Sequence, residues 1–556
     1  MGYILLSIEH LVFWTLAGAI LGVGIGKWRS ASRYRWLPGF VVSWGLLPLL
    51  FLVAIAWSVY SDWLKTDGFG GTSRPLPFES STVFAGAIVW TLSLILAVGA
   101  LLYFARQRST EQGEQRISAS WLALALLGVA LLHAMTFWNL DLTVRQQIEA
   151  MRVEAGAVAV SLSPPVVVDS ENAAVVYQEV FESGLFEKEP PEYAEWFKLY
   201  SESPGKLPVE TPQFIGYVSG RTALVNRIRE ATMIPNCNFR RDWGRPSFAM
   251  LLPETQNLRS CARELILSAH LHASKGDVRA ALRDIAAVHR VADHVGQEPI
   301  VISQLVSFAS EHYAVTSLEH ILRNHPVTKE DLDELGNWPF HSLAARCQSA
   351  LRMEEAFGLA SASQVLVHTQ PDVTPPMDLP FPPPEPLISF YRVFFLRSDL
   401  ARYQQNMELM QNAVITKYEH RVATAERIDQ SLKTQNQGIL NGLLLPAFGQ
   451  LNIAIGRADA RQRLARLAIA LHGHRLEHGS FPESLEAIRQ TRLIPLDPFD
   501  DQPLRMTRRD GRLVIYSIGV NRIDDQGQPE TPDPRKNGGG TIVGQGDGDI
   551  VFWLEK

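Results

Sequence analysis

Only three cysteines, Cys237, Cys261 and Cys347, occur in 556 residues. They form no C-x-x-C pair and no zinc-ligand spacing, which excludes a zinc ribbon and a thioredoxin-type redox motif. G-x-S-x-G, H-E-x-x-H, a Walker phosphate loop and the dinucleotide-binding glycine fingerprint are missing too, so the chemistry tied to those motifs is not written in the chain. Acidic neighbours such as Glu354 with Glu355, or Asp500 with Asp501, are adjacent in sequence and read as solvated surface, not as carboxylates facing across a cleft. Charge is also scarce at one end. Residues 1–140 hold 6 acids and 9 bases, whereas the remaining 416 residues hold 52 acids and 43 bases. That contrast rules out one uniform soluble domain. It also rules out a nucleic-acid binder, because nothing after residue 140 supplies the positive excess that phosphate neutralisation needs.

Within the charge-poor end lie four long apolar stretches at 3–26, 38–60, 82–105 and 119–140. As helices at about 1.5 Å per residue, each is long enough to cross a bilayer core. The expectation is a four-helix transmembrane bundle in which the first segment stays as an anchor, since no basic region precedes its apolar run. Lys27, Arg29, Arg33 and Arg35 occupy the first loop, and Arg106, Arg108 and Arg116 the third. The positive-inside rule places both in the cytoplasm and everything after residue 140 on the outer side. Glu9, His10 and His133 are ionisable groups inside these stretches. They suggest a small transporter or sensor as one alternative, and helix-packing or interfacial positions as the simpler one.

The outer region reads as helical. Short helices are expected at 170–186, 191–203 and 208–233, and a helical hairpin from two segments, 256–274 and 277–296, with Asp277 at an N-cap and Gly296 at a C-cap. In the second arm Val278, Ala281, Leu282, Ile285, Val288, Val291, Ala292 and Val295 recur at steps of three and four, one stripe of a helix. A further helix is expected at 339–367. Eight prolines in residues 369–386 make that segment a linker or a surface strap. The division expected is 1–140 for the membrane domain, 141–368 for an extracytoplasmic helical domain, 369–386 for the proline-rich linker, 387–450 for a long helical region and 451–556 for a terminal α+β unit. An outer location permits a disulfide, and Cys237 with Cys261 is the pairing expected, leaving Cys347 a buried thiol.

The last unit holds a helix ending at His478-Gly479, a turn into a short helix at 483–489, then strands near 503–507, 512–517 and 549–554 with Asp510-Gly511 as a hairpin turn. His472, His474 and His478 crowd the end of the long helix, where a structural role is expected of them. The succession "HGSFPESLEAI", "DPFDDQPL", "VIYSIGVN" and a glycine- and aspartate-rich loop closing on "GDI" resembles the globular head of type II secretion major pseudopilins. The resemblance covers roughly 95 residues. It implies a long helix packed on a small antiparallel sheet. It also implies calcium in the last loop, where Asp524, Asp525, Asp547 and Asp549 match, with Asn521 nearby; the alternative is that these aspartates are solvated turn residues. The middle of the chain resembles large bacterial envelope proteins that often carry such a terminus, and no activity comes with that likeness. The start departs from the pseudopilin pattern: no basic leader precedes Gly2, Ser7 stands where a glutamate is usual, and four spans do not suit a one-helix filament subunit.

The function expected is therefore a non-enzymatic, multi-pass protein of the bacterial inner membrane. Its outer helical region and head would bind or organise other envelope or secretion-apparatus proteins. An envelope hydrolase with an unrecognised active site is the other alternative.

Overall fold

The structure is a computed structural model that describes residues 119–184, 189–248, 250, 252–336, 342–367, 385–434, 438–445, 447–488, 494–530 and 548–555. The spans expected at 3–26, 38–60 and 82–105, with Glu9 and His10, lie outside the described residues, as do most of the proline-rich segment and Asp547. The protein is mainly helical with one small antiparallel sheet of three strands. Its chain divides into two compact units. Unit 1 takes Met1–Glu154, Leu359–Gln405 and Gln437–Leu443, and unit 2 takes Ala155–Gly358, Asn406–Asn436 and Leu444–Lys556.

Helix α1, Ala119–Leu162, contains the fourth expected span but does not stop at residue 140. It continues because the sequence beyond 140 keeps helical periodicity. Asp141, Val144, Ile148, Met151, Ala155 and Ala159 are buried at steps of three and four, while Arg145 with Asp141 and Arg152 with Glu149 pair along the surface. The side chain of His133 is outside the description. In unit 1, α1 is joined by the end of α10 (Leu343–Val367), by α11 (Glu385–Phe394) and by the first half of α12 (Leu396–Ala413). Most of α14 (Gly438–Leu444) also belongs to this unit.

Unit 2 is built from short helices α2 (Ala173–Glu182), α3 (Tyr193–Glu202), α4 (Pro212–Gly220) and α5 (Thr222–Thr232), followed by three long ones, α6 (Pro253–Ser274), α7 (Val278–Gly296) and α8 (Val301–Asn324). The stretch 208–233 is thus two helices, broken at Arg221, whose side chain is buried beside Glu264 at 3.6 Å. The α6–α7 hairpin forms as its local signals dictate. Gly276 takes φ +80 at the turn, and the Asp277 carboxylate accepts the Ala280 N–H at 3.1 Å. α8 packs against α6, α7 and the later helix Phe448–His478. Short α9 (Lys329–Asp333) opens with a capping box between Thr328 and Asp331. α13 (Tyr418–Thr434) follows α12, so the long helical region expected at 387–450 begins as three successive helices.

The C-terminal part is α15 (Phe448–His478) with β1 (Arg505–Arg509), β2 (Arg512–Ser517) and β3 (Ile550–Trp553), in sheet order β1-β2-β3. Gly479 at φ +80 ends α15. Arg509 opposes Arg512 across a tight turn in which Asp510 and Gly511 both take positive φ, the geometry a two-residue hairpin needs. Leu464, Leu467, Ala468 and Leu471 of α15 share one buried core with Leu513, Ile515, Ile550 and Phe552 of the sheet and with the helices of unit 2. Among the described residues one helical stretch, Gly438–His478, is long and apolar enough to cross a membrane by length and composition, and 53% of that apolar window is buried inside the protein.

Candidate functional site

The sequence-derived site residues can now be placed. Asp524, Asp525 and Asp549 do come near one another at the end of the head, but other partners occupy their oxygens. Asp549 is buried, and its two carboxylate oxygens accept the N–H groups of Asp525 at 3.3 Å and Gly527 at 2.7 Å. Asp524 accepts the Tyr516 hydroxyl at 3.1 Å and pairs with Arg505 at 3.2 Å. Asp525 accepts from the Asn521 amide at 3.0 Å. Among the described residues no group of three acidic, histidine or cysteine side chains is arranged to hold a metal ion; Asp547, the fourth residue of the expected calcium set, lies outside them, and the three described aspartates form a hydrogen-bonded loop anchor. Burial pushes the Asp549 carboxyl up to about 6, the neighbouring Asp525 and Asp524 adding to the shift and the two N–H bonds opposing it.

The disulfide expected between Cys237 and Cys261 is not formed in this structure, where all three cysteines are free and buried. Burial, with nearby acids, raises both thiols far above their usual range, so each behaves as a small core side chain. His474 and His478 stack at 4.0 Å between ring centroids, while His472 is buried against Phe481. None of the three enters a metal group.

Another aspartate, Asp497 of the "DPFDD" motif, organises the head. Fully buried, it accepts the N–H groups of Phe499 (3.0 Å) and Ile518 (2.9 Å) and the Ser517 hydroxyl (2.8 Å), and lies 3.3 Å from Arg505. It thereby ties the loop before β1 to the end of β2.

The residues that sequence reasoning missed lie in the helical part of unit 2. Glu264 of α6 is buried, accepts the Tyr217 hydroxyl at 2.8 Å, and faces Arg221. Arg221 in turn covers the Tyr217 ring at 4.3 Å. Tyr313 of α8 is buried, which pushes its phenol up, but Arg263 and Arg259 outweigh that and bring it below its ordinary value. Arg263 also lies over Phe197 at 4.8 Å. The Tyr200 hydroxyl reaches the Tyr313 carbonyl and Ser317 at 2.9 Å each, and His270 meets Ser317 at 3.0 Å. Tyr193, Trp196, Phe197 and Phe214 pack around these groups with centroid spacings of 5.1 to 6.4 Å. A second buried line joins His289 to Glu311 at 2.5 Å, Ser307 to the Ala292 carbonyl at 2.6 Å and Gln304 to the Gly296 and Glu298 carbonyls. These lines pin α8 to its neighbours through buried hydrogen bonds, which specifies helix register. The sequence signal was the run of Ser, Gln, Glu and His in α8, too polar for a core helix unless its neighbours answer each group.

A surface hollow of about 430 Å³ is lined by Phe239, Arg240, Arg241, Asp242, Arg245, Ser247 and Met250. Its arginines already have acidic partners: Asp169 for Arg240, Glu298 and Glu254 for Arg241, and Asp242 for Arg245. The lining contains one carboxylate, so the converging pair of titratable groups that hydrolysis needs is not found in it.

No family profile, no curated protein and no solved structure matches the chain.

Proposed function

We propose that this is a non-enzymatic, multi-pass envelope protein held in the bacterial inner membrane by four N-terminal spans. Its helical unit and pseudopilin-like head lie beyond the cytoplasm and organise other envelope or secretion-apparatus proteins. The observation that carries the reading is the terminal arrangement: a 31-residue helix ended by Gly479, then a loop knotted on Asp497, then a three-stranded antiparallel sheet packed on that helix. The order agrees with the one the pseudopilin resemblance implies. Exposed Leu476, Leu496 and Ile523 give the head apolar points on its surface.

The test combines anchoring and partnership. The chain should stay in the membrane pellet after alkaline carbonate, and photo-crosslinkers at Leu496 and Ile523 should yield adducts with envelope proteins. Release by carbonate removes the membrane reading. Retention with no adduct at either position removes the scaffold reading.

A further inference from the structure

We propose that α14 lies on the lipid surface, seating Ile439 and Leu443 in the outer headgroup boundary beside the point where α1 leaves the bilayer. This rests on the membrane reading above and adds a second, peripheral contact to it.

The apolar run of α1 ends on an exposed face. Met135 and Trp138 are 64% and 65% exposed, and Leu142 is 42% exposed. They stand three and four residues apart, so they share one face. A tryptophan at the end of an apolar run is the usual occupant of the lipid–water boundary. At the same level α11 crosses α1. Phe394 stacks on Phe137 at 6.2 Å, and the fully buried Arg392 grips Asp141 through Nε to Oδ1 at 2.8 Å and Nη2 to Oδ2 at 3.0 Å. Arg392 also donates to the Leu366 carbonyl and to Ser389. These bonds fix α11 at the last turn of the apolar run.

From α11 the linkage passes directly to α14. Tyr391 donates to Asp399 of α12, and Asp399 accepts the N–H groups of Ile439 at 2.7 Å and Leu440 at 3.2 Å. Gly438 makes this approach feasible, since it takes φ +84 and a Cβ there would stand 1.8 Å from the Asp399 carboxylate oxygen. So anchored, α14 turns Leu440, Asn441 and Leu444 inward and leaves Ile439 56% and Leu443 46% exposed, four residues apart on one face. No charged residue occurs between Lys433 and Arg457. An uncharged, aliphatic face held close to the membrane exit of α1 suits lipid, and its charge-free flanks offer no ion pair to a soluble partner. The helix lies on the surface and does not cross, because the following Phe448, Leu451, Ile453 and Ile455 are already buried in the protein core.

The experiment uses the full chain in nanodiscs of phosphatidylethanolamine and phosphatidylglycerol, with a bimane label on Leu443→Cys. The native thiols are buried, so labelling is selective. Lipids carrying a doxyl group near the headgroup should quench the label roughly two-fold, because an interfacial face sits about 5–10 Å deep, and aqueous iodide should quench it little. In the Gly438→Ala background, which releases the α14 anchor, that lipid quenching should fall while the protein stays in the disc. Iodide quenching without lipid quenching, in protein that remains in the disc, overturns this inference and leaves the membrane reading intact. Shielding from both quenchers, with crosslinks to another protein, overturns it in favour of a protein partner. Protein that fails to enter the disc overturns the membrane reading itself.

Discussion

At the residue scale, single buried polar groups fix both the head and the helical unit. Asp497 satisfies two N–H donors, a hydroxyl and an arginine from a site with no water access. Asp497→Ala orphans them together and should cost about 3 kcal/mol or more, measured as a lower urea midpoint of the full chain. The buried histidines give a pH dependence. Burial drives His270 and His312 down to about 3, and His294 and His472 down to about 4. His294 shows why the neutral ring is needed: Nε2 meets the Ile234 carbonyl at 2.9 Å as donor, so Nδ1 must accept from Tyr177 at 3.0 Å. A second proton would turn that acceptor into a donor. With folded values below the usual 6.5, the unfolded chain binds more protons, so this contribution is complete above about 6.5 and is lost as pH falls toward 4. Urea midpoints should therefore drop across that window. Asp549 acts in the opposite sense. Its raised value favours the folded state at low pH, and the benefit disappears as pH rises from about 4 through 6. The difference in midpoint between the native chain and Asp549→Asn should be more favourable to the native chain at pH 4.5 than at pH 7.

At the element scale, local signals were legible and tertiary ones were not. Asp510-Gly511 and Gly479 announced a turn and a helix end because positive φ is a requirement of the residue itself. The first strand was displaced by two residues, because Pro503 is drawn into a bridge with Leu496 before the hairpin begins. The region 387–450 reads as a long helical stretch, yet the chain turns at Val414, Ile415 and Thr416, a β-branched run whose last hydroxyl bonds back to the Ala413 carbonyl at 2.6 Å. Of the candidate site, the aspartates of the last loop were visible as a cluster, but their hydrogen-bond partners were not. The Glu264 and Tyr313 groups were invisible because each draws on helices 43 or more residues apart in sequence. Close approach of elements is equally non-local. A Cβ at Gly456 of α15 would stand 2.8 Å from Phe499 Cε1 and 3.2 Å from Tyr418 Cε2. Gly456→Ala should cost about 1–3 kcal/mol through overpacking, read as a lower unfolding midpoint in urea.

At the scale of the whole molecule, the buried pair of Arg392 and Asp141 joins parts of unit 1 that are 251 residues apart in sequence. Burial pushes the Asp141 carboxyl up, but Arg392 and Arg145 outweigh it and hold it below its usual value. Removing one partner should be severe and removing both should be milder. Arg392→Met or Asp141→Leu alone is expected to cost about 3–5 kcal/mol, and the double variant should recover a large part, as read from a double-mutant cycle in urea. Equal losses in the singles and their sum in the double would mean the pair is not coupled.

That pairing also sets a schedule for biogenesis. A ribosome that has just added Asp141 must extend the chain by 251 residues before the arginine that neutralises it is in place. Until then the nascent chain keeps a carboxylate at that position with only Arg145 to answer it. Truncated products ending anywhere before residue 392 share this defect.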